Sequence, residues 1–208
     1  MGKGGDYERE VCKQLSLWWT YHKRDDIFWR TAGSGARATT RMKKLMETHD
    51  SAGDVMALDP IGKPLTAQVL IEIKRGFGGM QVKSKSTGKK KKKGGKQLEI
   101  LSLLDTNMKG RKHELVFWQW WDKAENERLL HNRNLVWIIF KRDRKEPCIA
   151  MSLFQFVRLT TGSNHVIDTI ALANRKRKVT IVFSRLDAFL KCCKPKFLRK
   201  RTITRRKK

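Results

Sequence analysis

The sequence predicts an α/β protein, and three stretches carry that expectation. Residues 7–22 place apolar side chains at helical spacing, Val69 to Lys74 alternates apolar with polar positions, and Leu135 to Phe140 is apolar without a break. The first pattern is that of an amphipathic helix. The second is that of a strand with one buried face, and the third that of a strand covered on both faces, which belongs at the centre of a sheet. With 208 residues, 39% hydrophobic content, seven Trp and nine Phe, the chain has material for one sizeable core.

Taken in order, Gly4-Gly5-Asp6 offers an N-cap at Asp6, so a helix is expected from Tyr7 to about His22. Tyr7, Val11, Cys12, Leu15, Trp18 and Trp19 share one stripe, with Glu8 inside it and Glu10 on the opposite side. An acid on the buried stripe needs a partner, because an unpaired buried carboxylate is costly. Arg9 or a terminal backbone amide would satisfy it if its role is only structural. Ile27 to Arg30 reads as a strand that runs into Thr31 to Arg37, where glycines, hydroxyls and two arginines suit a phosphate. A short helix is expected over Ala38 to Met46. Gly53 to Leu58 is a second apolar run that begins with Asp54, and Asp59-Pro60 to Pro64 reads as the turn of a hairpin into Val69 to Lys74.

That last strand carries the chemistry. Side chains alternate across a strand, so Leu70, Glu72 and Lys74 share one face while Val69, Ile71 and Ile73 share the other. Burying the β-branched set fixes the register, since a slip of one residue would drive both charges into the core. The expected hairpin would bring Asp54 beside Glu72. Two carboxylates at about 4 Å repel by roughly 4 kcal/mol at an effective dielectric near 20, and a hard divalent cation answers that repulsion. Alone, a Glu-x-Lys tripeptide is what a solvated strand face ordinarily carries, with an ion pair and no site.

Beyond Lys74 the composition changes. Residues 80–97 hold eight lysines and no acid, with Lys89, Lys90, Lys91, Lys92 and Lys93 in a row, a basic loop suited to phosphate contact. Glu114 to His131 reads as a helix rich in aromatics whose wheel is not clean, its rings mostly in the core. Lys141 to Pro147 turns Leu135 to Phe140 back into a strand at Cys148 to Ser152. Candidate helices near 153–158 and 186–193 and a strand at 179–183 make residues 153–190 a small α/β appendage. Residues 191–208 carry ten basic residues and no acid, a C-terminal extension expected to be disordered until it meets a polyanion.

The 47 Lys plus Arg against 20 Asp plus Glu leave +27, the balance of a nucleic-acid-binding protein. No apolar run approaches the roughly 18 residues of a membrane span, and the first residues lack a signal peptide's apolar region, so a cytoplasmic protein without a membrane partner is expected. Cys12, Cys148, Cys192 and Cys193 have no zinc-ligand spacing with the histidines and read as reduced thiols.

Tyr7-Glu8-Arg9-Glu10, Arg30-Thr31-Ala32-Gly33-Ser34, Gly53-Asp54-Val55 and Ile71-Glu72-Ile73-Lys74, in that order, resemble the PD-(D/E)xK nuclease superfamily, closest to archaeal-type Holliday-junction resolvases. The likeness covers roughly residues 4–151. It implies a restriction-endonuclease-like core over residues 1–152, with a mixed central sheet flanked by helices. It also implies a homodimeric, Mg2+-dependent phosphodiesterase acting on DNA, with Mn2+ able to substitute and no organic cofactor. By the same resemblance Glu8 is the family's helix glutamate, Asp54 and Glu72 the metal-binding acids with Glu8 assisting, and Lys74 the catalytic lysine. Arg30 and Ser34 correspond to residues that touch the scissile backbone, with Arg37 beside them. Gln119 matches a polar residue of the second core helix. Three features depart from the pattern: Gly53 stands where many members have proline, the stretch between Ser34 and Asp54 is longer than in compact resolvases, and the basic loop and C-terminal third have no counterpart.

The expected activity is therefore a structure-selective DNA endonuclease acting on branched duplex, in a prokaryotic or phage-infected cytoplasm. A sequence-specific restriction endonuclease is the alternative within the same chemistry. A non-catalytic basic nucleic-acid-binding protein is the alternative outside it.

Overall fold

The computed structural model describes residues 3–31, 52–75, 116–142 and 145–199. It is an α/β protein in which helices flank a five-stranded mixed sheet. Helix α1 spans Lys3–Trp19, and strands β1 (Phe28–Arg30) and β2 (Val55–Ala57) pair antiparallel as a separate two-stranded ribbon. A 3-10 turn at Pro60–Gly62 and helix α2 (Lys63–Gln68) lead into β3 (Val69–Arg75). Helix α3 (Val116–Leu130) and strand β4 (Leu135–Lys141) follow, then β5 (Cys148–Ser152), α4 (Leu153–Thr160), β6 (Thr169–Asn174), β7 (Val179–Arg185), α5 (Leu186–Cys192) and α6 (Lys196–Arg199). The sheet order is β3-β4-β5-β7-β6, with β3 and β4 parallel and the other pairs antiparallel.

Alternation along the strands divides the core into two layers. Val69, Ile71 and Ile73 of β3 and Leu135, Trp137 and Ile139 of β4 pack with Tyr7, Val11, Leu15 and Trp19 of α1 and with Phe189 and Leu190 of α5. Leu70, Val136 and Ile138 face the other way, onto Phe117, Trp118, Trp121 and Ala124 of α3. Helix α3 thus buries its aromatics as expected, and β4 is covered on both faces. Ser16 ties α1 to the ribbon, its hydroxyl accepting from the Phe28 amide at 2.9 Å.

Several expectations are corrected. Helix α1 begins at Lys3, so Asp6 lies within its first turn, where it pairs with Arg9 and faces the positive end of the helix. Asp59 to Pro64 is no hairpin turn. The Asp59 carboxylate accepts from the Ile61 amide at 2.9 Å and caps a 3-10 turn, and Pro64 then sits at the start of α2, a position that suits its fixed φ. Residues 153–190, expected as an appendage, contribute β7 and a further strand, β6, to the same sheet. The extension is folded as far as Arg199: Cys192, Cys193 and Leu198 are buried, and the Arg199 guanidinium lies over the Trp19 ring at 4.9 Å. Residues 38–46, 80–97 and 200–208 lie outside the described residues. All four cysteines are free, and no helix among the described residues is long and apolar enough to cross a membrane.

Candidate active site

One edge of β3 pairs with β4, and the other is met by the residue that precedes β2. The Asp54 amide donates to the Ile71 carbonyl at 2.8 Å, and the Asp54 carboxylate accepts from the Ile73 amide at 2.7 Å. A single residue thus serves two backbone groups of the strand, one with its own backbone and one with its side chain. The Ile71 and Ile73 groups flank Glu72, so the expected juxtaposition of Asp54 and Glu72 arises without the hairpin. Thr31 holds the far side of this segment: its amide donates to the Asp54 carbonyl at 3.1 Å and its hydroxyl to the Gly53 carbonyl at 2.9 Å.

The backbone at position 53 requires glycine. Its φ is +73°, and a Cβ there would lie 2.6 Å from the Ile71 carbonyl oxygen. Its amide donates to Glu127 Oε1 on α3 at 2.8 Å. Proline has φ fixed near −65° and no N–H, so it can supply neither feature.

Glu72 is 2% exposed and Asp54 8%. Burial, then the like charge of Glu72, push the Asp54 carboxyl up to about 7, against the opposing pull of the Ile73 amide and Lys74. Two ammonium groups answer the Glu72 charge, and both bind the same oxygen. Lys74 Nζ bonds Glu72 Oε1, and Lys123 Nζ reaches that oxygen from α3 at 3.2 Å. Burial alone would lower the Lys123 pKa, but the charge and hydrogen bond of Glu72, together with the charges of Glu127 and Asp54, turn the net shift upward. Glu8 comes from α1, its Oε2 paired with Arg30 Nε at 3.4 Å. Arg30 thus answers the acid on the buried stripe, while Arg9 pairs with Asp6. Glu8 still raises Asp54 through space. Glu10 is exposed and pairs with Lys141 at 3.2 Å.

Asp54, Glu72 and Lys74 come together as expected, with Glu8 and Arg30 as a neighbouring pair. Ser34, Arg37 and Lys89 to Lys93 lie outside the described residues. Gln119 is exposed, and α3 instead sends Lys123 and Glu127 to the site. Those two stand one and two turns beyond Gln119, so the signal was the i, i+4, i+8 row on a helix whose mixed wheel serves both a core and a polar site.

The donor set suits a hard cation. Two buried carboxylate oxygens beside one strand, destabilising each other's charge, are the oxygen ligands through which Mg2+ is commonly held while it keeps most of its waters. Among the described residues no third His, Cys, Asp or Glu joins them at ligand distance. Compared with known proteins, the chain matches no family model, no curated protein and no solved structure.

Proposed function

We propose that the chain is a Mg2+-dependent DNA endonuclease with a restriction-endonuclease-like core, selective for branched duplex in the manner of Holliday-junction resolvases. The observation that carries this reading is the engagement of Asp54 with the backbone on either side of Glu72, with Lys74 bonded to that glutamate. The order α1, β1, β2, α2, β3, α3, β4, with β3 and β4 parallel, supports the same reading.

Asp54, Glu72 and the Ile73 carbonyl would hold the cation, with Glu8 assisting through water. When bound, Mg2+ supplies Lewis acidity toward a phosphoryl oxygen and acidifies water. The chain's own residues do the rest. Lys74 orients the attacking water and offsets charge on the phosphoryl oxygens. Water oxygen bonds to phosphorus, the bond to the leaving sugar oxygen breaks, and the water's protons are shared between solvent and that oxygen, so no covalent enzyme intermediate is required. Arg30 and the Ser34 and Arg37 segment would contact the scissile backbone, and Lys89 to Lys93 more distant phosphates. Two copies related by a two-fold axis would present two sites to opposed strands of a junction.

The test is nicking of supercoiled plasmid in Mg2+, in chelator and with Glu72→Gln, followed by competition between labelled four-way junction and linear duplex of equal length. Nicking that chelation and Glu72→Gln both abolish, with the junction preferred, supports the proposal. Cleavage at one linear sequence favours the restriction-enzyme reading. Salt-sensitive binding without cleavage favours a purely binding protein.

A further inference from the structure

We propose that Lys123 is a second cation of the reacting centre, forming with Lys74 a two-ammonium subsite for the non-bridging oxygens of a phosphodiester. The inference rests on the nuclease reading of Asp54 and Glu72. It adds a residue that neither the sequence motifs nor the family resemblance supply.

The geometry comes from two elements. Lys74 rises from β3 itself, while Lys123 comes from the facing helix α3, and both ammonium groups converge on Glu72 Oε1. Two cations sharing one carboxylate oxygen repel each other, and a second anionic oxygen between them relieves that repulsion. The exposures show where such an oxygen would enter. The Glu72 side chain is 3% exposed and Lys74 26%, but Lys123 is 63% exposed, so Lys123 stands at the mouth through which a DNA backbone approaches. Its placement is fixed by the next turn of the helix, where Glu127 accepts from the Gly53 amide at 2.8 Å. Helix α3 is thereby locked to the segment that carries Asp54.

Charge counting gives this second lysine a purpose. Asp54 and Glu72 balance Lys74 and Lys123, so a divalent cation on the acids leaves the centre two charges positive. A phosphodiester brings one negative charge, and its pentacovalent transition state brings two. With both lysines present the centre matches the transition state rather than the ground state, and that difference is what accelerates a reaction. Lys123 moves no proton in this role.

A lysine that only braces Glu72 would leave a different signature. The experiment compares the full-length protein with Lys123→Met, Lys123→Arg and, as a remote surface control, Lys13→Met. Mn2+ binding is measured without DNA, binding of a thymidine dinucleotide is measured in Mg2+, and single-turnover cleavage is measured on a labelled four-way junction. In Lys123→Met, Mn2+ should bind about 3- to 10-fold tighter, because a cation competing for Glu72 is gone. The same variant should bind the dinucleotide several-fold more weakly and cleave about 10- to 100-fold more slowly. Lys123→Arg should recover most of both losses, and Lys13→Met should match the wild type. Weaker Mn2+ binding together with slower cleavage would make Lys123 a brace and overturn the proposal, as would unchanged dinucleotide binding. If the wild type binds Mn2+ and the dinucleotide but cuts no DNA, the nuclease reading fails. The two binding measurements then still decide the subsite: opposite shifts in Lys123→Met uphold it, and parallel or absent shifts overturn it.

Discussion

Helices α1 and α3 pack on opposite faces of β3 and meet different chemistry there. Toward α1 the strand presents Val69, Ile71 and Ile73, all buried, and each such side chain stabilises the fold by about 1.5–3 kcal/mol. Toward α3 it presents Leu70, then Glu72 and Lys74, and the helix changes in step, from Phe117, Trp118 and Trp121 to Lys123 and Glu127. A buried carboxylate pair costs free energy that the site itself does not return. The α1 layer offsets it, so one strand can be held rigidly from one side while the other side carries charges that a folded core would otherwise reject.

If that division holds, the two faces should fail in different ways. Trp19, fully buried on the α1 side, packs on Trp18 and Phe28 and donates to the Ile61 carbonyl at 2.7 Å. Trp19→Ala should lower stability by about 3–5 kcal/mol, read as a shift in the urea midpoint with an unchanged slope. A loss below about 1 kcal/mol would mean that the α1 layer is not the stabilising one.

Gly53→Pro tests the joint between the two faces. It should cost about 3 kcal/mol or more, because it removes the amide that Glu127 accepts and imposes a φ of the wrong sign. Cleavage should fall with it, since the Asp54 segment would move. A stable, active Gly53→Pro protein would show that neither the positive φ nor the amide at this position is needed, and would remove the role given to Glu127.

On the α3 face, Asp54→Asn, Glu72→Gln and Lys74→Ala should each lower cleavage by about 100-fold or more with the urea midpoint held or raised and DNA binding kept. Glu10→Gln, on an exposed pair with Lys141, should cleave normally. Full activity of Lys74→Ala in a quantitative nicking assay would remove the proposed mechanism.

How much of this was readable beforehand follows the same division. The alternation in Val69 to Lys74 announced both faces of β3, and the stripe of α1 singled out Glu8 over Glu10, because period alone decides which side chains share a side. The route from Asp54 to β3 is ambiguous in the sequence, since Asp59 and Pro64 favour a capped turn and a helix as readily as a hairpin. Lys123 and Glu127 were hidden for a related reason. Their helix keeps aromatics toward the sheet and polar groups toward a site, so no single stripe marks it. Strand β6 is hard to read because its apolar run, Ile170 to Ala173, is short and shows no alternation of apolar with polar positions, all of them exposed or half-exposed at the sheet edge.

The finest test sets two acids beside α3 against each other through pH. Asp54 is buried, and its carboxyl is raised from 3.8 to about 7. The unfolded chain releases that proton first, so in chelator the stability should fall as pH rises from about 4 to about 7 and level off above, a loss on the order of 2 to 4 kcal/mol. Asp54→Asn should flatten that slope. Asp122 is the opposite case. Arg177 forks onto its carboxylate at 2.8 and 2.6 Å while stacking over Trp118 at 5.1 Å, and the pair holds the Asp122 carboxyl below 3.8. Its contribution is present above the ordinary carboxylate value and is lost as pH falls through the lowered one. With the Asp122 side chain 45% exposed, solvent screening limits it to about 0.5 kcal/mol. Asp122→Asn should therefore lower the thermal midpoint slightly at pH 6 and not at all near pH 2. The signs are the informative part: if both variants changed stability in the same direction between pH 4 and 7, the contrast between a strained site acid and an ordinary surface pair would fail.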